Sequence, residues 1–190
     1  MPRAGLTPAS VAGIAARLAD EEGFDRLSLS SVAKAAGVSV PSLYKHVAGL
    51  NGLRRAVGLL SAREFGAVVA RACLGRSGEE ALRSVAAAYR GYARAHPGRY
   101  ESLNLAPSPE DAEAAEAYRV PVDVLAAALR GFGVPDEEAV DEVRALRSAL
   151  HGFVDLEARG GFGLPRDVDR SFEVLVDRCV AGLRARSGPP

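Results

Sequence analysis

The chain has 190 residues, 48% of them hydrophobic, which is enough for a sizeable core in one or two small domains and too apolar for a disordered polymer. Its 24 Lys and Arg balance 24 Asp and Glu, so any nucleic-acid surface must come from how charge is distributed and not from net charge. The longest uncharged run, thirteen residues between Arg3 and Arg17, is too short for a membrane span, and no secretion leader is evident. Cys73 and Cys179 fit neither a metal-site nor a CxxC spacing, so the expectation is a cytoplasmic protein with reduced thiols and no metal or cofactor.

In chain order, Thr7 is placed to cap a first helix that Pro8 opens, with Val11, Ile14, Ala15 and Leu18 as its core stripe and Gly23 at its end. Phe24 and Leu27 then close a small core. Next come two short helices joined by a glycine turn. Leu29, Val32, Ala33 and Ala36 fall at helical spacing, Gly37 supplies the residue that takes positive φ, and Val38 plugs the turn. Ser28 and Ser39 sit where N-caps are wanted, and Pro41 lies in the first turn of the second helix, where its missing N–H leaves no bond unmade. In that helix Leu43 and Val47, four apart, face the core. Val40, Pro41, Ser42, Tyr44, Lys45 and His46 are left pointing outward, a mixture of methyls, hydroxyls, an aromatic ring and cations suited to the major groove of double-stranded DNA. Residues 1–66 hold eight Lys and Arg against five Asp and Glu, and the 38 residues from Arg26 to Arg63 contain six basic side chains and no carboxylate. That is the footprint of a phosphate-facing surface on an otherwise neutral chain.

Three segments here, Val32-Ala33, Ala36-Gly37-Val38-Ser39 and above all Pro41-Ser42-Leu43-Tyr44-Lys45-His46-Val47, resemble the TetR family of bacterial transcriptional repressors. The last resembles that family's recognition-helix signature, which ends in Leu-Tyr-x-His-Phe/Val. The resemblance covers about the first third of the chain. It implies that Ser28 contacts or orients phosphate, that Pro41 and Ser42 meet bases or their methyls, and that Tyr44 and His46 bind the phosphate backbone. Lys45 occupies a position the family uses for base or phosphate contacts, and Ser39 and Val40 complete the DNA-binding set. In one departure, the family usually places a lysine at the start of the fourth helix, where this chain has Leu50. Either Arg54 or Arg55 compensates, or binding is weaker.

Asn51-Gly52 resembles a hairpin dipeptide, but no alternating strands flank it, so Asn51 is read as capping a long helix through Leu53, Val57, Leu60, Phe65 and Val68. Gly75 and Gly78 break that helix. Ser77-Gly78-Glu79-Glu80 then forms a capping box ahead of Leu82, Val85, Ala86, Tyr89 and Ala93, and His96-Pro97 ends their helix. A short helix with Tyr100 and Leu103 follows. Ser108-Pro109-Glu110-Asp111 opens the next one, which carries Tyr118, Leu125 and Leu129 and is kinked or interrupted at Pro121 before Gly131-Phe132-Gly133. The last two helices run from about Asp136 and about Asp167. The first carries Val143, Leu146, Leu150 and Val154, the second Phe172, Leu175, Val176, Cys179 and Leu183. Ser187 to Pro190 reads as a disordered tail. The fold expected is all-α, about nine helices, with a helix-turn-helix domain at 1–66 and a regulatory, ligand-binding and dimerisation domain at 67–190.

Leu150-His151-Gly152-Phe153-Val154-Asp155-Leu156-Glu157, with Tyr92-Ala93-Arg94-Ala95-His96-Pro97, resembles the C-terminal domain of a TetR subgroup named for a Trp-His-Gly signature, although this chain has no tryptophan. Gly152 inside a helix costs about 1 kcal/mol relative to alanine, which points to a neighbouring helix or a ligand close to its backbone. His151 reads either as a hydrogen-bonded core histidine or as a ligand contact. Tyr89, Tyr92, Tyr100, Leu103, Tyr118 and Leu125, with His151, are candidates to line a pocket for a small, mostly apolar effector, or else are core residues with hydroxyls at the surface. Leu146, Leu150, Phe172, Leu175, Val176 and Leu183 are candidates for a homodimeric four-helix bundle, an arrangement the family resemblance also implies, or else both stripes pack inward only.

An enzyme is not expected. The three histidines have no second ligand or nucleophile at helical spacing, and Glu79-Glu80 and Glu137-Glu138 lie in first helical turns, where the helix dipole accounts for them. The resemblance implies a ligand-responsive DNA-binding regulator, a repressor acting on a palindromic operator as a homodimer. A helical adaptor that has lost DNA binding is the alternative.

Overall fold

The computed structural model describes residues 6–186; the expected tail from Ser187 lies outside them. Among the described residues there are nine α-helices and no strand: α1 (Pro8–Glu22), α2 (Leu29–Ala36), α3 (Val40–Leu43), α4 (Gly49–Cys73), α5 (Gly78–Ala95), α6 (Pro97–Ser102), α7 (Ala112–Arg130), α8 (Asp136–Ala158) and α9 (Val168–Arg186), with a 3₁₀ turn at Phe24–Arg26. None is long and apolar enough to cross a membrane. The chain forms two compact units, Met1–Glu64 with Ala95–Tyr118, and Phe65–Arg94 with Arg119–Pro190.

In the first unit the local signals work as chemistry predicts. Thr7 and Ser10 form a reciprocal capping box at α1, and Ser28 and Ser31 form another at α2. Gly37 closes α2 at φ 68°, its N–H donating to the Ala33 and Lys34 carbonyls. The buried face of α1 is Val11, Ala12, Ala15, Ala16 and Ala19, while Ile14 and Leu18 pack at its margin. The small residues have a purpose: α6 lies against α1 so closely that a Cβ on Gly98 would fall 2.0 Å from the Ala19 carbonyl oxygen. Asp20 fixes that contact, accepting the Arg99 backbone N–H at 2.9 Å and pairing with its guanidinium at 3.1 Å. Leu43, Val47, Leu53 and Val57 complete the core with Phe24, Leu27, Val32 and Ala33.

Two helix starts differ from expectation. α4 begins at Gly49, which takes φ 69°, so Asn51 is inside the helix and not its cap. α7 begins at Ala112 because Asp111, not Ser108, accepts the Ala114 N–H at 3.1 Å. Ser108 turns instead to Glu110.

In the second unit Tyr89 and Tyr92 of α5 pack on Phe65, with ring centroids 5.2 and 5.3 Å apart. α7 runs through Pro121 as one helix, and Gly66 makes room there, since a Cβ on it would meet Val120 at 3.1 Å. Arg90 of α5 is buried between the rings of Phe172 and Phe153, 4.8 and 5.5 Å from their centroids. Its guanidinium is held by Glu157 at 2.5 and 2.8 Å and by Asp169 at 2.7 Å, which ties α5 to α8 and α9.

The residues expected at a dimer seam are largely buried within the chain. Leu146, Leu150, Phe172, Val176 and Leu183 are each at most 7% exposed within the single chain, and Leu175 is half-buried. An apolar stripe of helical period says that something covers it and not what does; here the chain itself covers all but Leu175. Outward-facing positions are instead Ala145, Ser148, Gly152 and Leu156 on α8, and Val174, Arg178, Ala181 and Gly182 on α9. Among the described residues a Cβ on Gly152 or on Gly182 would meet nothing within 4 Å, so no neighbouring helix packs against Gly152 there.

Candidate DNA-binding face and effector-site residues

α2 and α3 present the candidate reading face. Ser28 is committed as a cap, its Oγ accepting the Ser31 N–H at 3.0 Å, so it braces the N-terminal end of α2. Ser39 stands at the N-cap position of α3 but makes no bond to that helix's backbone; its hydroxyl lies 2.9 Å from that of Ser42. Pro41, Tyr44 and Lys45 are exposed, Tyr44 at 61%, and Ser42 and His46 are half-buried. Val40 departs from its expected outward position: half-buried, it packs on the core. Regular helix stops at Leu43. Tyr44 keeps helical dihedrals and the His46 and Val47 N–H groups both return to the Leu43 carbonyl, at 2.8 and 3.0 Å, so the reading segment tightens into a turn over Tyr44–His46.

The basic stretch is less free than its sequence suggests. Arg54 donates to the Asp25 carbonyl at 3.0 Å and stacks on Phe24. Arg55 grips Asp111 with two nitrogens and reaches Glu113 at 3.0 Å, and Arg63 pairs with Glu113 at 2.9 Å. Those hydrogen bonds from Arg55 hold the Asp111 carboxyl below its usual range, and Arg55 and Arg63 together do the same to Glu113. Neither arginine expected to replace the missing lysine is therefore unengaged, and Leu50 itself packs against the core. Lys34 and Lys45 remain exposed. The acids that engage Arg55 and Arg63 lie about fifty residues or more downstream, where a count along the sequence does not find them.

The expected effector residues divide between the units. Tyr89, Tyr92 and Leu125 are buried in the second, where His151 is half-buried on α8; Tyr100 and Leu103 are buried in the first. Tyr118, also in the first, crosses α4 at Gly58, where a Cβ would come within 2.9 Å of its hydroxyl, and donates to the Ser102 carbonyl at 3.2 Å. It lines a cavity of about 320 Å³ that sequence reasoning missed, with Phe24, Arg54, Gly58 and the α6–α7 loop among the other walls. The glycine opposite Tyr118 was the one signal for it. Among the described residues no cluster of three or more His, Cys, Asp or Glu could hold a metal ion.

Comparison with known proteins agrees with this geometry. Residues 14–57 match the family described as bacterial regulatory proteins, tetR family, and residues 82–179 match the tetracyclin repressor-like C-terminal domain. The Trp-His-Gly subgroup rests on the sequence motifs alone. The chain is 36% identical over 185 residues to the uncharacterized HTH-type transcriptional regulator Rv0681 of Mycobacterium tuberculosis, covering 97% of this chain and 84% of that one. It is 31% identical to the uncharacterized HTH-type transcriptional regulator YobS of Bacillus subtilis, covering 96% and 95%. In fold it is similar to a TetR variant from Acinetobacter baumannii in complex with minocycline, with a TM-score of 0.73 at 20% identity over 97% of this chain and 100% of that one.

Proposed function

Since the chain belongs to the TetR family of bacterial transcriptional regulators, we propose that it is a ligand-responsive repressor that binds a palindromic operator as a homodimer in the cytoplasm. Residues 1–66 read DNA, and residues 67–190 serve regulation and dimerisation. The observation that carries the reading is the α2–α3 corner, in which a capped helix, a left-handed Gly37 and a buried Leu43 turn Pro41, Ser42, Tyr44 and Lys45 outward together. In this reading Tyr44 and His46 bind phosphate, with Ser28 steadying the helix end beside them, while Pro41 and Ser42 meet base edges. Ser39, paired with Ser42, sets the rotamer of the hydroxyl that faces the bases.

Dimerisation is supported by the glycines at 152 and 182. A glycine in a helix interior weakens it by about 1 kcal/mol, and nothing among the described residues uses the space either one leaves. A second copy packed through α8 and α9 does, and its two-fold axis makes the operator two-fold symmetric. The minocycline complex of the similar-fold protein supports a small organic effector for this one. Such a molecule acts only if it favours a state whose reading heads no longer fit the operator.

Selection from random duplex DNA tests the function. The expected result is an enriched palindrome whose binding weakens with salt, with Tyr44→Ala lowering affinity for all sequences and Ser42→Ala changing base preference. Selection without a two-fold symmetric sequence overturns the repressor reading.

A further inference from the structure

The cavity beside Tyr118 is lined wholly by residues of the first unit, whereas the Tyr89–Phe65–Tyr92 cluster belongs to the second. At about 320 Å³ it is at the small end of the range for sites that take small molecules. Its construction is specific. Gly58 leaves α4 bare so that the Tyr118 ring can lie across it, and the Tyr118 hydroxyl is fixed by the Ser102 carbonyl. Phe24 supplies an aromatic wall, and Leu105, Ala106 and Pro107 of the α6–α7 loop give the mouth an apolar rim, Leu105 being 68% exposed.

The charged groups on the wall are unequal. Asp111 is matched by the two nitrogens of Arg55. Among the described residues Arg54 has no ion-pair partner: one terminal nitrogen donates to the Asp25 backbone carbonyl, and its Nε is buried with no acceptor. A buried N–H without an acceptor is costly, and a cationic one is best satisfied by a carboxylate. We propose that this cavity is the effector site of the regulator, and that it takes a small, largely apolar molecule with a single carboxylate, the carboxylate on Arg54 and the apolar body between Phe24, Tyr118 and the α6–α7 loop. The role as effector rests on the regulator reading; the binding does not.

The same arginine gives the site its leverage. Arg54 holds the Asp25 carbonyl in the 3₁₀ turn that leads through Leu27 into the Ser28 cap of α2. A carboxylate that draws on the guanidinium competes with that carbonyl and loosens the turn from α4.

Calorimetric titration of the full chain, free of DNA, with 1-naphthoate and with its neutral counterpart 1-naphthamide tests the site. The expected result is saturable binding, with the carboxylate about tenfold or more tighter than the amide. Arg54→Met should erase that preference, and Ala106→Trp, at an exposed rim position, should abolish binding of both while leaving the helical circular dichroism and melting point unchanged. No saturable heat with the wild type, or naphthoate binding that survives both substitutions unaltered, overturns the proposal. Failure of the regulator reading would appear separately, as random-DNA selection without an enriched site in protein never exposed to naphthoate.

Discussion

Gly98 is the residue on which the first unit closes. Because the position of its missing Cβ lies 2.0 Å from the Ala19 oxygen, and both groups are backbone that cannot rotate away, Gly98→Ala must push α6 off α1. The expected cost is about 3 kcal/mol, the upper part of the overpacking range, read as a fall in the urea midpoint; an unchanged midpoint would refute the contact. Arg90 offers a test with pH. Its hydrogen bond holds the Glu157 carboxyl below the usual carboxylate value, so the pair's contribution is complete above about pH 4.3 and is lost as pH falls through the depressed value. Glu157→Gln should therefore destabilise the protein by about 2 kcal/mol at pH 7, a figure discounted for the pair's partial exposure, and the gap from wild type should narrow by pH 3. Neither residue stands out in the sequence. A glycine in the first turn of a short helix looks like tolerance, and an arginine on an amphipathic helix looks like a solvated charge until two phenylalanines from distant helices enclose it.

At the scale of elements, what could be read from the chain was what the chain decides locally. Thr7, Ser28, Gly23 and Gly37 act on residues within four of themselves, and each does what its chemistry dictates. Ser39 shows the limit: it occupies the cap position, yet the Ser42 hydroxyl three residues on takes its side chain instead. Ser28→Ala is accordingly expected to lower stability by about 1 kcal/mol, and Ser39→Ala to change it by a few tenths at most while altering operator preference; equal losses for the two would contradict the assignment. The corner of α2 and α3 was legible because its turn, caps and inward residues lie within twenty positions. The electrostatics of α4 were not, because the partners of Arg55 and Arg63 arrive at the cap and in the first turn of α7. Nor was the cavity, which needs Phe24, Arg54, Gly58 and Tyr118 brought together from separate elements.

For the molecule as a whole, periodicity located α8 and α9 and their apolar stripes but not what covers them, and the chain buries most of them itself. The outward glycines give the assembly its test. Gly152→Glu and Gly182→Glu should leave the monomer as stable as before or more so, since each replaces an exposed helical glycine, yet should convert a dimer at micromolar concentration to a monomer by light scattering. A wild type already monomeric, or variants still dimeric, would remove the proposed seam. α7 contributes residues to both compact units, and Pro121 stands three positions beyond Tyr118, the last residue it gives to the first. Proline has no N–H to return to the Ala117 carbonyl, so the hydrogen-bond ladder of an unbroken helix lacks a rung close to where membership changes. Cooperativity should fail at that rung. In native-state amide exchange the amides before and after Pro121 should open with different free energies, each half following its own unit, where a helix of nineteen residues with a full ladder would open as one.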